Sequence, residues 1–101
     1  MDASDLRKVY GLAARVGSLE GYLYTGEDIE TEYLPGWLGN IEREFNELSP
    51  EARSACAEAH HEVLRKVAAY LGKFYGAGDS NAVKAQGMVD VAKGVMDSRG
   101  C

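Results

Sequence analysis

Cysteine and proline are scarce: the 101 residues hold two of each. Cys56 and Cys101 alone make no disulfide framework, which excludes the small secreted scaffolds that depend on one. No apolar run approaches the roughly 20 residues that span a bilayer, so no membrane association is expected. The opening Met1-Asp2-Ala3-Ser4-Asp5 lacks the basic stretch and apolar core of a secretory signal, and a cytoplasmic location is expected. There is no Gly-rich phosphate loop, no Ser-His-Asp arrangement and no Cys-x-x-Cys pair, so the expectation is a non-enzymatic protein. Strand signals are nearly absent, and no internal repeat or low-complexity segment is found.

Apolar residues, by contrast, make up 46% of the chain, enough for a real core in one domain spanning residues 1–101. The net charge of −5 is unevenly spread. Between Glu20 and Glu51 nine acids (Glu20, Glu27, Asp28, Glu30, Glu32, Glu42, Glu44, Glu47, Glu51) face one base, Arg43. An acidic middle repels phosphate backbones, which argues against nucleic acid as a partner. It attracts a basic protein surface or a divalent cation, unless it serves only as a solvated face.

Helix punctuation is clear. Ser4 is expected to cap a first helix over about 4–24, ended by Thr25-Gly26. An acidic connector at about 25–36 follows, closed by a Pro35-Gly36 turn. A second helix is expected over about 37–48. Ser49-Pro50-Glu51 is the strongest local signal, with a cap, a proline in the first turn and an acid near the positive end of the dipole. It opens a third helix over about 50–75, stopped at Gly76-Ala77-Gly78. Asp79 or Ser80 caps a fourth over about 80–98, and 99–101 are a frayed tail. The pattern is all-α: a small antiparallel four-helix bundle.

At about 100° per residue, each helix acquires an apolar and a polar side. On the third, Cys56, Val63, Leu64, Val67, Leu71 and Phe74 lie together, with His60 at their centre and Arg53 one to two turns earlier. His61 falls at the flank. On the first, Glu20 lies inside an apolar stripe of Leu6, Val9, Leu12, Ala13, Val16, Leu19 and Leu23. Glu20, Arg53 and His60 therefore violate the binary pattern, with Cys56 beside them, and such violations are where sites hide. Either they form a buried network, Glu20 pairing with Arg53 or His60, or they mark chemistry. In an up-down bundle the first and third helices run parallel, which sets Glu20 nearer in height to Val67 than to Arg53.

Cys56 and His60, four apart, share a face. That spacing suits half of a zinc site, or a thiolate activated by an imidazole with Arg53 nearby. Glu58-Ala59-His60-His61 contains the Glu-x-x-His spacing that di-iron bundles use on two helices, and it occurs here once. The alternative to a purely non-enzymatic binding protein is thus a zinc- or iron-binding bundle. Its ligands would be Glu58, His60, His61 and Cys56, completed across a dimer. Otherwise Glu58 is solvated and Glu62 pairs with Lys66.

The fourth helix carries a wide apolar arc that includes Met88, Val91 and Val95, more than one packed face requires. A homodimer, or a place as small subunit of a larger assembly, accounts for the excess. Gly87 and Gly94, like Gly17 and Gly21, point to close backbone approach, because each glycine is costly in a helix interior. Tyr22, Tyr24, Tyr33 and Trp37 gather around Glu27, Asp28, Glu30 and Glu32. Rings beside carboxylates suit the Arg and Lys side chains of a basic protein partner. The expected protein binds itself or such a partner, and no cofactor is expected outside the zinc or iron alternative.

Overall fold

Side chains cap the starts of three helices, and a glycine ends one of them. The computed structural model describes residues 2–25 and 33–99, the side chains of residues 24, 25 and 99 excepted. Among these residues there are four helices and no strand: α1 (Ala3–Thr25), α2 (Leu34–Glu47), α3 (Pro50–Tyr75) and α4 (Ser80–Arg99).

The cap of α1 is Asp2, not Ser4: its Oδ1 accepts from the Asp5 amide at 2.9 Å. Aspartate is as good a cap as serine, and the earlier one leaves Ser4 inside the first turn. Pro35 likewise belongs to α2 rather than to a turn before it. Its fixed φ suits a first turn, where the absent N–H has no bond to make. Leu48 and Ser49 are extended and link α2 to α3. Ser49 caps α3, its Oγ accepting from the Ala52 amide at 3.1 Å. Gly76 ends α3 at φ 94°, a conformation that favours glycine. Asp79 caps α4, with Oδ2 accepting from the amides of Asn81 and Ala82 at 3.0 and 3.2 Å.

The contacts set the arrangement. Ser49 at the start of α3 donates its hydroxyl to Asp5 Oδ2 near the start of α1, at 3.1 Å. Further along, Val9 to Gly17 of α1 and Cys56 to Val63 of α3 line one groove. The helices α1 and α3 are therefore parallel neighbours. Arg15 on Glu44 and Tyr22 on Trp37 make α1 and α2 antiparallel. The four-residue link 76–79 folds α4 back on α3, and this is the most extensive pairing in the bundle. Lys84 Nζ meets Glu42 Oε1 at 2.8 Å, joining α4 to α2.

One core runs through all four helices, its largest fully buried members being Leu19, Leu34, Leu38, Ile41, Leu64, Leu71 and Val67. Two apolar expectations fail at the edges. Phe74 is exposed, lying against Tyr70 with Lys73 near its ring, and Leu6 is also exposed. Both sit near helix ends, Leu6 in the first turns of α1 and Phe74 in the last turn of α3.

Candidate functional site

His60 is the one buried polar residue among those described, 7% exposed. Its ring lies on that of Phe45 with centroids 4.4 Å apart and planes within 3°. No other described side chain or backbone group hydrogen-bonds to it. Burial alone lowers its pKa from 6.5 to about 4, so the imidazole is neutral at pH 7. His60 faces two openings. One is a groove of about 120 Å³ between α1 and α3. The other is a hollow of about 30 Å³ against Glu42, Met88 and Val91.

The groove has a buried floor of Leu12, Val16 and His60 and an exposed rim of small residues, Ala13, Gly17 and Ala59. Cys56 is half-buried at its side. Its Sγ lies 3.8 Å from Arg53 O, as donor to that carbonyl, and burial pushes the thiol pKa up. A protonated thiol beside a neutral imidazole is not an activated nucleophile. Arg53 does not assist it: the guanidinium donates to Asn46 O at 3.3 Å and the residue is only half-buried.

The Glu20 network does not form. One carboxylate oxygen, Oε2, is buried without a partner, and the guanidinium of Arg53 goes to Asn46 O instead. Nor do the proposed metal ligands converge. Glu58 is exposed while His60 is buried, as about 160° of separation around a helix requires, and His61 is half-buried at the flank. Among the described residues no group of three or more His, Cys, Asp or Glu side chains is placed to hold a metal ion. Glu62 meets Arg65 at 4.0 Å rather than Lys66.

Of the acidic and aromatic set, Glu27, Asp28, Glu30 and Glu32 lie outside the described residues, as does the side chain of Tyr24. Tyr33 is exposed. Trp37 is engaged within the bundle: Nε1 donates to Arg15 O at 3.3 Å and the ring meets Tyr22 edge-on. Further along, the acids are matched from other helices, Glu44 by Arg15 and Glu42 by Lys84. The charge imbalance of the sequence is thus partly neutralised by the fold.

On α4 the expected interface residues divide. Met88 is buried and belongs to the core, Val95 is half-buried against it, and Val91 is 52% exposed. Val83, at 57%, joins Val91 on the outer side. A Cβ added at Gly87, Gly94, Gly17 or Gly21 would meet nothing within 4 Å. Close approach inside the bundle is therefore not the reason for these glycines.

Sequence reasoning missed the groove. Leu12, Val16, Ala13, Gly17 and Ala59 are ordinary core and surface residues until α1 and α3 are known to be neighbours. The one available signal was the descending size along one side of the first helix, Val9, Ala13 and Gly17, spaced by four.

The class defined by these features is a small all-α four-helix bundle with an apolar groove and, among the described residues, no cluster of metal-ligating side chains. Among the same residues no helix is long and apolar enough to cross a membrane. Comparison with known proteins brings no match: no family model, no curated protein and no solved structure is significantly similar to the chain.

Proposed function

We propose that this chain is a non-enzymatic helical binding protein that associates with a second copy of itself through the outer face of α4. The observation that carries the reading is the line Val83, Gly87, Val91, Val95. These residues are spaced by four and so run along one side of the helix. Val83 and Val91 each leave more than half their surface in water, although α4 already supplies Ala85, Met88, Val89 and Ala92 to the core. Open space above Gly87 and the neighbouring Gly94 lets a second helix come close. A self-complementary patch repeated about a two-fold axis is the commonest way for such a face to be covered.

Sedimentation equilibrium tests it. The wild type should dimerise at micromolar concentration, and Val91→Glu should be monomeric with its helical circular dichroism unchanged. A wild type that is monomeric at several hundred micromolar overturns the reading.

A further inference from the structure

We propose that the groove between α1 and α3 binds a small uncharged aromatic molecule carrying one hydroxyl, with His60 as the hydrogen-bonding anchor. Size sets the first limit. At about 120 Å³ the groove is near the scale of apolar cavities, about 150 Å³, that take up benzene, so one six-membered ring fits.

Chemistry sets the second limit. The floor and rim are apolar apart from His60 and the Cys56 thiol, and the thiol is already turned to Arg53 O. A water molecule needs two to four polar partners and finds one free group here, so water is a poor occupant. A neutral imidazole offers one N–H donor and one acceptor nitrogen, and a hydroxyl satisfies either. Phe45 covers a face of the ring, which leaves the nitrogen-bearing edge as its polar surface. No Asp, Glu, Lys or Arg lines the groove, so a charged ligand would be desolvated without a counter-ion. The small rim residues Ala13, Gly17 and Ala59 leave the entrance open.

The test uses phenol, toluene and benzoate as probes on the full chain at pH 7, followed by two-dimensional amide NMR. Phenol should shift the amides of residues 12–17 and 56–63 saturably, together with the ring protons of His60, while benzoate should not. In His60→Leu the affinity for phenol should fall about three- to tenfold relative to that for toluene, the worth of one neutral hydrogen bond. If that variant fails to fold, Ala59→Phe, on the exposed rim, should remain folded and lose both phenol and toluene. Three results overturn the proposal: no saturable shift at these amides, parallel losses of phenol and toluene in His60→Leu, or full binding retained in Ala59→Phe. Shifts of the same amides on dilution, without ligand, would assign the groove to a second copy of the chain and also overturn it.

Discussion

His60 and Phe45 stack face to face at 4.4 Å, an imidazole from α3 on a phenyl ring from α2 across the centre of the bundle. Burial holds the imidazole neutral, with a pKa of about 4. Between pH 6.5 and 4 the unfolded chain takes up a proton that the folded chain refuses. Stability due to this residue is therefore complete above pH 6.5, falls as pH drops, and levels off below about 4. The loss is on the order of 3 kcal/mol. His60→Leu should cost no more than about 1 kcal/mol at pH 7, since an apolar group of similar size replaces an unpartnered polar one. By pH 4.5 it should be more stable than the wild type. Urea unfolding at the two pH values measures the crossing, and a constant difference between the proteins would refute it.

Ser49 joins two helices with one hydroxyl, accepting from Ala52 N and donating to Asp5 Oδ2. Ser49→Ala should cost about 1–2 kcal/mol, near the upper end for a cap, because it also strands Asp5. Asp5→Ala should cost less, and the double variant should cost less than the two together. Strict additivity would mean that the link between α1 and α3 has no energetic worth.

What was legible in the sequence was local. Ser49-Pro50-Glu51 and Gly76 mark their boundaries because cap chemistry acts within a few residues, and the helical wheel turns His60 inward. Ser4 and Pro35 differ from expectation because two nearby starts are chemically acceptable and the structure uses the earlier one, by one residue at α1 and three at α2. The wheel gives each helix an inner side but not its neighbours. Arg53 finding Asn46 O, Trp37 finding Arg15 O, and the groove before His60 all depend on which helices touch, and periodicity does not carry that.

Arg15 holds Glu44 through Nε, at 2.9 and 3.1 Å to the two carboxylate oxygens, and through a terminal nitrogen at 2.9 Å. Both side chains are partly exposed, so a double-mutant cycle should return about 0.2–1 kcal/mol and shrink in 1 M salt. Arg15→Lys should lose most of the coupling, because an ammonium cannot reproduce the forked contact. A coupling that ignores salt would place the pair in a drier setting than its exposure implies.

Glu20 Oε2 is buried without a partner, on the side of α1 that carries Leu12, Val16, Leu19 and Leu23. Glu20→Leu removes that group and should raise stability by about 1 kcal/mol. Thermal melts at pH 7 decide it: a variant less stable than the wild type would show that the carboxylate has a partner that this geometry does not supply.

Gly87 separates self-association from packing within the monomer, because one substitution should move the two in opposite directions. An added Cβ meets nothing within 4 Å, so Gly87→Ala should stabilise the isolated chain by up to about 1 kcal/mol through helix propensity alone. The same methyl would stand in the line of Val83 and Val91, where a second helix is proposed to approach. The dissociation constant of the dimer should therefore rise. Gly11→Ala on α1, where an added Cβ also meets open space, is the control and should stabilise without changing association. Unfolding is followed at concentrations low enough to leave only monomer, since association itself adds apparent stability. Association is read by sedimentation at higher concentration. If both variants are stabilised and both associate like the wild type, the outer face of α4 is not where two copies meet.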